Sequence, residues 1–320
     1  MKKQLITSAL LALGVVAHAQ NNQADIKQNG TNNVNTVQQT GTNEKLTLIQ
    51  GVASIESEGS VADVVMDGVG SEVYIRQVGG YQNATVAASG ENNTVRIDQE
   101  LFGHVATVEI LDNASPTDNA VKINQKGVGQ NAAVSIQGGS QHDLRIAQKG
   151  EANVASMRQY YSSANTFSID QDGEQNGAFI QQESNLDGDQ ANIKQVGDFN
   201  QARINLGDAD LISPTRDNQA VVRQTGNRND ATIQQKTPGD LLYTPDAPAE
   251  IANNEAIVTQ HGDDNRALLV QYGSDNFGKI QQNGTFNEAT LTQAGFGDMA
   301  TITQTGTGNV SQVAQGVVLP

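Results

Sequence analysis

Residues Gln260–Gln315, QHGDDNRALLVQYGSDNFGKIQQNGTFNEATLTQAGFGDMATITQTGTGNVSQVAQ, place a glutamine at every eleventh position: Gln260, Gln271, Gln282, Gln293, Gln304 and Gln315. A glycine follows most of them two residues later, at Gly262, Gly273, Gly284, Gly295 and Gly306. Asn and Ala recur at +5 and +7, as in Asn265/Ala267 and Asn287/Ala289. A fixed short period with polar residues in fixed slots marks a stacked repeat. It predicts a structural polymer rather than an enzyme.

Within one unit the alternation has period two. Asn287, Ala289, Leu291 and Gln293 share a parity and point to one side of a β-strand, while Glu288, Thr290 and Thr292 point to the other. Gly284 falls between strands, where a reversal favours glycine. An eleven-residue period can suit a helix, but strict alternation and a Gly-x-x-Asn breaker in each unit argue for strands. One unit supplies a strand and a reversal, so two units, about 22 residues, make one rung. Rungs stacked at about 4.8 Å give two facing parallel sheets, an all-β, cross-β-like solenoid.

The unit recurs upstream. Gln28 and Gln39 carry Gly30 and Gly41. Gln148 leads to Gly150, Asn153 and Gln159, and Gln171 to Gly173, Asn176 and Gln182. Gln195 is followed by Gly197 and Asn200, with Leu206 in the next glutamine slot; Gln224 leads to Gly226, Asn229 and Gln235. Asn276 and Asn309 complete the asparagine series at the C-terminal end. The repeat domain is expected over residues 20–320, with turn insertions at 112–119, 207–218 and 236–249, the last holding Pro238, Pro245 and Pro248. The acidic stretch 52–70 reads as a distorted rung.

Composition alone points elsewhere. With no Trp, 4% aromatics, 37% hydrophobics and a mean hydropathy of -0.44, the chain resembles a disordered polar tract. The phased aliphatic slot before each glutamine overturns that reading. Burying an amide without partners costs about 1–3 kcal/mol, but Gln and Asn carry both donor and acceptor, so identical residues one rung apart can bond up the axis. A ladder member at either end lacks one neighbour. The first unit starts at Ala24 and the last ends at Gln315 with no charged cap, so open ends are expected to recruit further copies.

Residues 1–19 read as a secretory signal: Lys2 and Lys3, an apolar run from Leu5 to Ala17, then Ala17-His18-Ala19. The run is short for a transmembrane helix. The chain has no cysteine, so an exported protein of this kind relies on backbone ladders rather than disulfides. A net charge of -16 argues against nucleic acid as partner and for a solubilising surface.

Chemistry-bearing clusters are absent from the pattern. His104, His142 and His261 lie in separate units without metal-ligand spacing and read as surface turn residues. Asp187/Asp189 and Asp208/Asp210 lack any calcium-loop spacing and read as solvated loop charge. No catalytic triad, P-loop or dinucleotide fingerprint occurs, and no cofactor or metal site is expected. The outward threonines Thr290/Thr292 and Thr301/Thr303 raise an alternative, a monomeric surface adhesin or an ice-binding array; Arg266, Lys279 and Glu288 interrupt it.

The pattern Gln-x-Gly-x-x-Asn-x-Ala-x-x-x-Gln, met in full at Gln148, Gln171, Gln224, Gln260 and Gln282, resembles the curlin repeat family, the subunits of bacterial curli fibres. The resemblance implies a secreted functional amyloid of the biofilm matrix, on the surface of a Gram-negative-type bacterium. It implies self-polymerisation, a nucleator subunit, an outer-membrane secretion pore and periplasmic chaperones. Almost nothing stands between Gln20 and Ala24 where family members carry a targeting segment. The regular, nearly uncharged last unit favours the major-subunit role over the nucleator.

Overall fold

The chain folds as a β-solenoid of about 11 turns, seen in a computed structural model that describes residues 21–52, 55–110, 118–182, 186–207, 215–236 and 251–316. The signal segment 1–19 lies outside those residues. Strands form a 14-stranded and a 15-stranded sheet, and each rung gives one strand to each. In the last rungs, Glu255–His261, Phe277–Thr285 and Met299–Thr307 stack in the first sheet; Arg266–Ser274, Glu288–Phe296 and Val310–Gln315 stack in the second. All pairings between neighbouring rungs are parallel and in register, so Gln260 meets Gln282 and Gln282 meets Gln304.

The rung is 22 residues where the period is clean, and it lengthens to 29 and 36 residues at Gln195–Gln224 and Gln224–Gln260 without a shift in pairing. The described strands on both sides keep their register, Gln195 with Gln224 and Gln224 with Gln260. The expected insertions fall largely outside the described residues. Their flanks, however, are rung residues: Asn119 and Asn218 are buried, and Lys236 ends the strand Asp230–Lys236. Within 52–70 the irregularity is confined to the start, where Val52 pairs antiparallel with Ile55. Val61–Val69 is a regular strand, pairing Val61 with Val34 and Asn83, and Met66 fills the glutamine slot. Its sequence looked degenerate because that glutamine is missing.

Side chains alternate as parity requires: Ala289, Leu291 and Gln293 are buried, and Thr290 and Thr292 face outward. The filling of the core changes along the axis. The position held by Gly278 lies across from Gln271 and Gln293, whose amide atoms a Cβ there would approach within 3.2 and 2.8 Å. In earlier rungs the same position holds Val73, Val95, Val121 and Leu144, and the glutamine slot of the second sheet holds Ala88, Ile110 and Ile136. Elsewhere the aliphatic filling continues to the end of the solenoid, with Ile233, Leu269, Ile280 and Leu291 fully buried, so the change is confined to these two slots. Volume is conserved across the core by trading small residue plus glutamine for two aliphatics.

Candidate functional site: amide ladders and the outer strands

The first sheet carries one unbroken glutamine ladder. Nε2 of Gln28 donates to Oε1 of Gln50, and the chain continues through Gln77, Gln99, Gln125, Gln148, Gln171, Gln195, Gln224, Gln260 and Gln282 to Gln304, every bond between 2.8 and 3.0 Å. The second Nε2 proton crosses the core to a backbone carbonyl of the other sheet, as from Gln282 to Arg266 at 2.9 Å. From Gln50 to Gln304 both donors of each amide are thus used in a dry interior, which is the condition for tolerating it there. Gln50 and Gln125 belong to this ladder although the sequence pattern did not single them out.

The second sheet holds a broken ladder. Gln159 donates to Gln182 at 3.1 Å, and Gln235, Gln271, Gln293 and Gln315 run on at 2.9–3.1 Å. Leu206 separates the two runs, and Ile136 precedes Gln159. The consequence is visible at each restart: Oε1 of Gln159 and Oε1 of Gln235 are buried without a hydrogen-bond partner. Gln39 has no glutamine side chain as partner; its Nε2 donates to the Gln23 carbonyl at 3.2 Å and approaches the Met66 sulfur at 3.7 Å.

Asparagines make a ladder at the corners. Asn176, Asn200, Asn229, Asn265, Asn287 and Asn309 each donate from Nδ2 to the Oδ1 one rung earlier, beginning at Asn153, at 2.8–3.1 Å. The same Oδ1 accepts the backbone N–H of the following Asn, as at Asn287 and Asn309, and the second amide proton reaches a glycine carbonyl, Asn287 to Gly306 at 3.0 Å. Asn276 belongs to the opposite corner, below Asn254 and above Asp298.

Residues that read as surface chemistry occupy these same corner slots. His104 and His142 are buried, not exposed; their Nδ1 atoms stand 3.3 and 3.4 Å from the backbone N of Gln130 and Asn165 and take the role of Asn Oδ1. Burial holds both imidazoles below the usual histidine range, His142 at about 4. Asp189 is likewise buried, accepting the Asn218 N–H at 2.7 Å and the Gln182 amide at 3.0 Å, so it is a ladder member and not solvated charge. His261 is exposed as expected. Asp208/Asp210 lie outside the described residues.

Glu44 is the least comfortable substitute. Its N–H donates to Asn22 Oδ1 at 2.9 Å, but both carboxylate oxygens are buried without partners. Burial, with Asp67 nearby, pushes its pKa up to about 7. The slot calls for a donor towards a glycine carbonyl, and a carboxyl group supplies one only when protonated.

The repeat glycines answer to a different constraint from the reversal expected of them. At Gly284 a Cβ would run into the carbonyl of Gly306 in the next rung, and φ is +124°. Gly30, Gly150, Gly173, Gly197, Gly226, Gly262, Gly273 and Gly306 share positive φ, whereas Gly41 and Gly295 do not. At Gly41 the same collision, with the Gly68 carbonyl, excludes a side chain. The sharp left-handed residue is instead the one before the corner Asn, such as Asp264, Asp275 or Phe286.

Among the described residues no three His, Asp or Glu side chains converge as a metal site, and no helix is long and apolar enough to cross a membrane. The threonine array is also dispersed: Thr290 and Thr292 lie on the second sheet beside Leu268 and Val270, while Thr301 and Thr303 lie on the first beside Lys279 and Gln281. The two pairs face opposite ways.

These features define a class, a repeat protein whose β-solenoid is threaded by amide ladders. Residues 252–279 and 273–306 match the family model of the curlin associated repeat, so the chain carries curlin repeats in its C-terminal region. No curated protein matches the chain.

Proposed function

We propose that the chain is a secreted structural subunit that self-assembles end to end into curli-like amyloid fibres, serving adhesion and the biofilm matrix. The observation that supports this most is the ladder itself. Among the described residues, Gln23–Gln28 and Val34–Gln39 pair on one side only, as do Met299–Thr307 and Val310–Gln315. The inward residues of these outer strands repeat each other: Ile26, Gln28, Val37 and Gln39 at one end, Ile302, Gln304, Val313 and Gln315 at the other. A second copy would continue both sheets in the register already used inside the molecule, satisfying edge groups that water now solvates. A nucleator, a secretion pore and chaperones are the further partners of this reading.

Purified mature protein should form unbranched, thioflavin-positive fibrils with a reflection near 4.8 Å. Protein that stays monomeric at high concentration, with and without seeds of itself, refutes the proposal.

A further inference from the structure

The outer face of the second sheet carries a groove that the ladders do not explain, a cavity of about 680 Å³ spanning the strands from Val154 to Leu268. It runs along the solenoid axis between two rows of side chains. One row is Val154, Gly177, Gln201 and Asp230; the other is Phe179, Arg203, Thr232 and Leu268. Gly177 creates the depression. It is the one position in its row without a side chain, and the Gln201 amide folds down into the space a Cβ would fill. Arg203 leans the same way, its guanidinium 5.5 Å from the centre of the Phe179 ring. Both side chains lie towards the Gly177 and Phe179 end, and Asp230, Thr232 and Leu268 line the remainder of the groove.

We propose that this groove binds a linear, neutral polysaccharide lying along the axis. Its lining sets apolar side chains at the two ends (Phe179, Leu268) and hydrogen-bonding groups between them (Gln201, Arg203, Asp230), which suits sugar rings with an apolar face and a hydroxyl edge. One base and one acid leave it without net charge, which favours a neutral chain over a polyanion. The direction decides against a peptide. An extended peptide advances about 3.3 Å per residue and binds a sheet along its strands, at an edge. This groove crosses five strands at a repeat of about 4.8 Å, close to the advance of a linear β-linked glycan per sugar. Successive sugars would meet equivalent positions on successive rungs.

The test uses a β-1,4-linked glucohexaose and its α-1,4-linked counterpart, measured by calorimetry on the intact mature chain held monomeric. The β-linked probe should bind and the α-linked one, which coils, should bind at least about tenfold more weakly. Gly177→Val puts a good strand former where the Gln201 amide now lies and turns that flexible side chain out into the groove, so fold and melting temperature should hold while affinity falls about tenfold or more. Arg203→Ala should weaken binding without filling anything. No binding of the β-linked probe, or binding that Gly177→Val and Arg203→Ala leave unchanged, overturns the proposal. A thermal melt of each variant separates loss of the groove from loss of the fold.

Discussion

At the scale of the residue, the interior of this protein is governed by one requirement: a buried polar group must meet its own kind one rung away. Gln171, bonded to Gln148, Gln195 and the Val154 carbonyl, meets it fully. Truncating it to Ala strands the Oε1 of Gln195 and a donor of Gln148, and should cost about 3 kcal/mol by denaturant unfolding. Gln281→Ala, on the outer face of the same strand as Gln282, should change stability by less than about 0.5 kcal/mol. In fibre growth, Gln293→Ala with Gln304→Ala should slow assembly more than Thr290→Ala with Thr301→Ala; equal slowing would contradict the ladder as the assembling element.

The titratable substitutes act with opposite signs. Buried neutral, His142 has a folded pKa of about 4, below its unfolded value. The unfolded chain therefore binds the extra proton first, and stability from this site falls as pH drops from about 6.5 towards 4. Glu44, raised to about 7, binds its proton more tightly when folded, and its contribution is lost as pH rises from about 4.5 through 7. Glu44→Gln should therefore stabilise the protein at pH 8 by about 2 kcal/mol and do little at pH 4. His142→Asn should flatten the acid limb of the same stability profile.

At the scale of the element, a rung is a strand, a close-approach glycine, a left-handed residue and a corner amide. Leu101 breaks this order. It occupies the glycine slot between Gly79 and Gly127, at φ +90°, and is exposed. A bulky residue held there costs about 1–3 kcal/mol, partly offset by the unfolded-state entropy that glycine would add. Leu101→Gly should raise the denaturation midpoint by about 1 kcal/mol equivalent. Gly284→Ala should do the reverse, since the Gly306 carbonyl blocks the added carbon.

The same scale shows what the sequence could reveal. Parity alone placed Gln293 inside and Thr292 outside, because a strand has only two sides. Gln125 escaped because its partner across the rung is Ile136, so the eleven-residue step vanished although the stacking did not; Gln50 keeps the step from Gln39 but is followed by Val52 where the unit has glycine. The corner histidines were illegible for a different reason. An imidazole nitrogen can replace an amide oxygen as acceptor, and nothing in the local pattern marks that equivalence. The groove at Gly177 was hidden because it arises from side chains four rungs apart in stacking, not neighbours in sequence.

At the scale of the whole molecule, two halves of unlike interior share one backbone. Two core slots hold Val95, Leu144, Phe167, Ile110 and Ile136 in the first half and Ala220, Ala256, Gln235, Gln271 and Gln293 in the second, while the first glutamine ladder runs through both. Apolar burial is non-directional and stabilises a rung within one chain, whereas a ladder gains from each added rung. Amide hydrogen exchange should therefore be slowest in the strands between residues 46 and 167 and faster from 255 to 315 in the monomer. Fibre formation should protect the second group more.

The pairing of Gln224 with Gln260 across 36 residues, at the same 2.9 Å as Gln260 with Gln282 across 22, carries a last consequence. The contour of this molecule is measured in glutamines and not in residues. Chain can be spliced into a corner without changing the length of the particle, whereas gain or loss of a whole rung changes it by a fixed quantum of about 4.8 Å. Two such proteins of equal mass can differ in length, and two of equal length can differ in mass.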